Sequence, residues 1–195
     1  DGLKKISSGG DESHQISLQM SKKFGEIFKM ISKTPQITVS VVEGAAMAGA
    51  FGIACASDLL VSMSDAKYAL TETKIGLTPA QITPYVLNRL GFANARKMLL
   101  LGNIINGQEA YEMGMVDYLV NNESEINDII LKIKNQVQKC APNAIAITKE
   151  ILSNNNLVNP ENAAELFSSS IISEEGREGL ASFFEKRKPF WAREE

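Results

Sequence analysis

The 195 residues include a single histidine, His14, two cysteines, Cys55 and Cys140, and one tryptophan. With a single imidazole, neither a Ser-His-Asp triad nor a two-histidine metal site is expected. His14 lies in the polar stretch SGGDESHQ and reads as a solvated residue of a loop or helix entry. Two distant cysteines cannot frame a disulfide fold or a thiolate metal centre, and they suit a reducing compartment. No apolar run reaches membrane-spanning length and no secretory leader opens the sequence, so neither a membrane nor export is expected. An excess of either charge is also missing: 20 Lys and Arg are scattered among 23 Asp and Glu, for a net charge of −3. Nucleic acid is therefore not an expected partner. Any catalysis must come from carboxylates, tyrosines, lysines or backbone amides.

What is present is a 44% apolar chain, long enough to bury a sizeable core as one α/β domain. Residues 1–12, with a Gly-Gly break, read as a mobile loop. Ile16, Met20, Phe24, Ile27, Phe28 and Ile31 then follow helical spacing up to Pro35. Ile37, Val39, Val41 and Val42 predict a strand, and DLLVSM at 58–63 and residues 67–70 predict two more. TETKIGLTPAQ reads as a loop leading into a Pro-started helix, followed by NARKMLLLG with a stop at Gly102. Asn106 and Glu109 have capping-box spacing, and residues 116–120 predict another strand. The final third is helical: an amphipathic stretch from Ile126 to Val137, starts at Pro142 and Asn159-Pro160, and a last helix from Ser173 to Lys188.

Between the first strand and the next helix stands GAAMAGAFGIACASD, built of small residues. It fits neither the dinucleotide fingerprint nor the P-loop. Two readings remain open from composition. The small residues let a helix and a strand pack closely, or they let a ligand approach the unpaired N–H groups and positive dipole of a helix start.

The order of motifs goes further. VEGAAMAG, SDL, ETKIGLTP and GNIINGQEAYEMGMVD, in that order and followed by REGLASFFEKRKPF, resemble the enoyl-CoA hydratase/isomerase (crotonase) superfamily over nearly the whole chain. The resemblance implies an α/β fold of the ClpP/crotonase type, a spiral of β-β-α units over residues 1–120. It also implies a helical C-terminal trimerisation region over 121–195. The family polarises an acyl-CoA thioester carbonyl with two backbone N–H groups. One matches Gly49; the other would precede Asp1, which resembles the end of a GAD-like motif. Of the two glutamates common in hydratases, the first matches Gly52 and the second Glu72.

One carboxylate permits two reactions. Glu72 could activate a water that adds across the α,β double bond, or carry a proton between two carbons as a Δ3,Δ2-enoyl-CoA isomerase. GLTPAQITPYVLNRLG resembles hydratases that act on methylglutaconyl-CoA or isohexenylglutaconyl-CoA, in leucine and terpene breakdown, which favours a hydratase acting on a branched acyl-CoA. The alternative of another class is a non-catalytic acyl-CoA-binding homologue. The resemblance further implies a substrate site that includes Gly52 and Ala46. Phe167 and Lys186 would cover the adenosine end of coenzyme A from a neighbouring subunit of a homotrimer or homohexamer. No cofactor beyond the substrate's own coenzyme A and no metal is expected, and the location implied is cytoplasmic, or the mitochondrial matrix in a eukaryote. Cys55, Asp58 and Tyr68 read as structural.

Overall fold

β-branched residues and small residues alternate early in the chain, and they sort into short strands separated by tight corners. The computed structural model describes residue 9, residues 11–153 and residues 159–192. Its contacts divide into two units, Asp1–Ser32 with Val39–Asn122, and Lys33–Thr38 with Glu123–Glu195.

The first unit begins with helix α1 (Asp11–Lys33), whose apolar stripe follows the expected spacing. It continues through β1 (Val39–Val42), β2 (Ala45–Met47), α2 (Gly49–Ala56), β3 (Leu59–Met63) and β4 (Lys67–Ala69). A 3-10 turn at Glu72–Ile75 precedes α3 (Thr83–Leu101), and β5 (Ile104–Asn106), α4 (Gly107–Glu112) and β6 (Tyr118–Val120) close the unit. One sheet has the order β1-β3-β6, all parallel. The other has the order β2-β4-β5, with β2 and β4 parallel and β4 and β5 antiparallel. The first strand of each β-β-α unit thus enters one sheet and the second strand enters the other. Parallel pairing follows, because each turn of the spiral repeats the direction of the last.

Two strands were not expected from the sequence. The chain does not run from β1 straight into a helix: it corners at Gly44 and lays down Ala45–Met47 in the second sheet. There the Lys67 N–H reaches the Gly44 carbonyl at 2.7 Å. Three residues of Ala and Met carry no strand signal, and their partner Lys67–Ala69 is distant in sequence. The same holds for Ile104–Asn106, paired back onto β4. The expected loop TETKIGLTPAQ contains the 3-10 turn, closed by Gly76 at φ 75°. The expected Pro-started helix and the helix ending at Gly102 follow each other within α3, separated by a kink at the non-helical Gly91, whose φ of 66° is open to glycine alone without strain.

The core gathers Phe28, Phe51, Leu60, Tyr68, Val86 and Met98. Tyr68 donates its hydroxyl to Ser62 Oγ (2.7 Å), and Ser62 donates to the Met63 carbonyl (2.9 Å), so these two buried hydroxyls are paired. Arg89 joins the end of α2 to β6. Its guanidinium donates to the Ser57 carbonyl (3.3 Å) and pairs with Asp117 Oδ2 (3.2 Å), which also accepts the Leu60 N–H (2.7 Å). The capping box at α4 is present in both directions, Glu109 N–H to Asn106 Oδ1 (2.8 Å) and Asn106 N–H to Glu109 Oε2 (2.7 Å).

The second unit holds α5 (Glu123–Val137), α6 (Pro142–Ser153), α7 (Pro160–Ile172) and α8 (Glu174–Glu185). Asn159 caps α7 and Ser173 caps α8. Glu175 accepts from the Asn143 and Ala144 N–H groups, which sets a carboxylate against the positive end of α6. The last helix ends at Glu185 rather than Lys188, because Lys186 takes the left-handed conformation (φ 53°) and directs its N–H to the Phe183 carbonyl. Among the described residues no helix is long and apolar enough to cross a membrane. The expected loop over residues 1–12 lies largely outside the described residues, as does Asp1, and the amide donor expected just before Asp1 is not part of this sequence.

Candidate active site

Parallel strands of equal length end side by side, and that brings residues far apart in sequence to one edge. β2 and β4 pair Ala46 with Tyr68 and Met47 with Ala69, and the Ala48 N–H extends the ladder to the Ala69 carbonyl (3.0 Å). Beyond that last bond the two chains diverge. One enters α2 at Gly49; the other passes Leu70 and Thr71 into the turn that begins at Glu72.

The start of α2 has unusual backbone geometry. Ala48, its N-cap, sits at φ 49° and ψ −116°, a region that L-residues with a Cβ rarely occupy. The first intrahelical bond runs from the Gly52 N–H to the Ala48 carbonyl (3.2 Å). The N–H groups of Gly49, Ala50 and Phe51 therefore precede the helical ladder, at the positive end of the helix dipole. Gly49 is half-buried and Ala50 exposed. The ring of Phe24 packs closely on the Cα of Gly49: a Cβ built there would lie 3.2 Å from Phe24 Cε1.

Glu72 opens the 3-10 turn, with its backbone carbonyl taken by the Leu77 N–H (2.9 Å). Its side chain is half-buried. The Oε2 atom is buried and has no hydrogen-bond partner among the described residues. A carboxylate oxygen removed from water without a donor is costly, and a bound group or water that donates to it would relieve that cost. The turn itself is tied down: Thr73 Oγ1 donates to the Leu100 carbonyl (3.4 Å), and Lys74 packs against Gly102.

Gly52 is buried, and no room exists beside it. A Cβ would lie 2.6 Å from Ile82 Cγ1 and 2.7 Å from Phe28 Cζ. Phe28 in turn lies 5.5 Å from Tyr85, centroid to centroid, and 6.3 Å from Phe24. The close-packing reading of the small-residue stretch is seen at Gly52, where Ile82 and Phe28 leave no space for a side chain, while at Gly49 the helix-start N–H groups stand outside the helical ladder. Sequence reasoning did not single out Phe24, Phe28 or Ile82 here. The first two were visible only as members of an apolar stripe.

The remaining expected residues are spread over both units. Ala46 is buried in β2, paired with Tyr68. Phe167 projects from α7 with 70% of its surface exposed, and Lys186 is the exposed cap residue after α8, both in the second unit. Cys55 and Tyr68 are buried, and burial pushes the thiol and the phenol each up to about 12, where neither ionises in neutral solution. Among the described residues no group of three or more His, Cys, Asp or Glu could hold a metal ion. The arrangement combines helix-start N–H groups that stand outside the helical ladder with one buried carboxylate oxygen that has no donor among the described residues.

The chain matches the family model described as enoyl-CoA hydratase/isomerase over residues 3–194. It is 30% identical over 185 residues to a Thermus thermophilus protein that carries enoyl-CoA hydratase as a provisional name, covering 93% of this chain and 71% of that one. It is 28% identical over 198 residues to the methylmalonyl-CoA decarboxylase of Escherichia coli, covering 95% and 76%. The crystal structure of an enoyl-CoA hydratase/isomerase from Marinobacter aquaeolei superposes with a TM-score of 0.89 at 33% identity, over 98% of this chain and 75% of that one.

Proposed function

The chain belongs to the enoyl-CoA hydratase/isomerase family and has its crotonase-like α/β fold, and from that premise we propose that it is an enoyl-CoA hydratase using Glu72 as its one acid–base carboxylate. The observation that carries the reading is the buried, unpartnered Glu72 Oε2, on a turn that leaves the same sheet edge as the start of α2.

In this reading the thioester oxygen accepts a hydrogen bond from the Gly49 N–H. Glu72 takes a proton from water as the water oxygen bonds to Cβ, and the π electrons move onto the thioester oxygen as an enolate. The proton then passes from Glu72 to Cα as the enolate collapses. The sum is one water added across the α,β double bond, with Glu72 returned to its carboxylate and no redox change. Amide donors aimed at the enolate oxygen supply the electrostatic part of the rate, and Glu72 the proton transfers. The sequence GLTPAQITPYVLNRLG supports a branched acyl chain of the methylglutaconyl or isohexenylglutaconyl type. Phe167 and Lys186 would complete the coenzyme A site across a homotrimer or homohexamer, and Ala46 and Gly52 would line it.

A second reading has its own support. Phe28 and Ile82 occupy the space beside Gly52, so that position offers no second carboxylate, and a single Glu72 suffices for moving a double bond. The test is to incubate the protein with 2-enoyl and 3-enoyl CoA thioesters in heavy-oxygen water. Oxygen label in the product is expected; double-bond migration without label would assign the isomerase instead. No turnover of any thioester would leave a non-catalytic acyl-CoA-binding protein. The Glu72→Gln variant should lose about 10² to 10⁴-fold in kcat, and equal turnover would remove Glu72 from the mechanism.

A further inference from the structure

We propose that Phe24 sets the width of the acyl site beside the Gly49 amide and so selects which branched or straight acyl chains are accepted. This rests on the reading above, in which the thioester oxygen meets the Gly49 N–H.

Phe24 and Phe28 stand one turn apart on α1, so both rings project from the same face. Their environments differ sharply. Phe28 is 2% exposed and wedged between Gly52, Ile82 and Tyr85. Phe24, the outer member, is 41% exposed; it stacks on Phe28 with an interplanar angle of 29° and its ring edge packs on Gly49. An aromatic ring that leaves this much surface beside unpaired helix-start amides presents an apolar wall next to a polar anchor. Such a pairing fits a carbonyl followed immediately by hydrocarbon.

The backbone under Phe24 is held, and the ring keeps 41% of its surface exposed. Gln81 packs across Gly25 where a side chain would otherwise stand, and its Nε2 donates to Ser21 Oγ (3.3 Å). Helix α1 is thereby tied to the loop before α3 on both sides of Phe24. A fixed Cα with a half-exposed ring gives a wall whose position is set by the size of one side chain. Shortening that side chain opens space next to the thioester without touching Gly49 or Glu72.

The test compares the parent protein with Phe24→Ala and Phe24→Leu, and with Met30→Ala as a control on an exposed position of the same helix. Two readouts are taken: kcat/KM for crotonyl-CoA against a β-branched 2-enoyl-CoA, and Kd for the matching saturated thioesters by calorimetry. Phe24→Ala should shift the branched-to-straight ratio by about tenfold in both readouts, Phe24→Leu by less, and Met30→Ala not at all. If Phe24→Ala binds and turns over thioesters with a ratio within about twofold of the parent, the proposal is overturned while the hydratase reading stands. If the parent turns over no thioester, the hydratase reading fails and the Kd ratio alone decides on Phe24: a tenfold shift supports it and an unchanged ratio overturns it.

Discussion

Replacing Gly52 by alanine should destabilise the parent protein yet stabilise a variant in which Ile82 has been shortened. The perturbation adds one methyl group inside α2, where it would stand 2.6 Å from Ile82 Cγ1, 2.8 Å from Ile82 Cδ1 and 2.7 Å from Phe28 Cζ. Ordinary carbon contacts lie near 3.5–4.0 Å, so each of these atoms would have to move by about an ångström. Phe28 and Ile82 are 2% and 4% exposed, and neither has solvent to move into. Overpacking a core in this way costs roughly 1–3 kcal/mol, and the Gly to Ala change in a helix returns about 1 kcal/mol. Because two neighbours clash at once, the upper half of the range applies, and a net loss of about 1–2 kcal/mol follows. For a chain of this length that is a fall in Tm of about 3–6 °C. Ile82→Ala alone should cost about 2–5 kcal/mol through the cavity it leaves. In that background the new methyl has somewhere to go, Phe28 can relax, and Gly52→Ala should raise Tm. Scanning calorimetry on the four proteins of the cycle gives a coupling of about 1–3 kcal/mol if the packing argument is right. Equal effects of Gly52→Ala in both backgrounds would refute it.

Two further outcomes follow from the same region. Ala48→Gly should stabilise the fold by about 1 kcal/mol, since the strain of a Cβ at φ 49° exceeds the entropy cost of glycine; chemical denaturation measures this, and a loss of stability would contradict it. Stability should also fall as pH rises from 9.0 towards about 12, because burial keeps Cys55 protonated in the fold while the unfolded thiol ionises from 9.0 upward. The unfolded state then binds fewer protons, so stability is fully present below pH 9.0 and drains at about 1.4 kcal/mol per pH unit per group. Tyr68, raised by burial in the same way from 10.0, adds to the slope at its upper end. Cys55→Ala should flatten the fall between pH 9.0 and 10 in urea titrations, and an unchanged slope there would rule out the thiol.

Local chemistry determined much of this protein. The apolar period of α1, the Asn106–Glu109 box, the Asn159-Pro160 start and the glycine stop at Gly102 are short-range signals, and each is found where the residues put it. The motif order also carried the family. What lay beyond the sequence was every feature that depends on partners distant in the chain. β2 is a strand because β4 offers it a ladder, and nothing in Ala-Ala-Met says so. Lys186 ends the last helix by its own backbone conformation, against a pattern that reads helical to Lys188. In GAAMAGAFG the sequence could present small residues but not divide their roles. Tertiary packing set their surroundings: Phe28 and Ile82 close over Gly52, while at Gly49 the neighbour is the half-exposed ring of Phe24. Steric exclusion acts between atoms that meet in space, and only the folded chain brings those atoms together.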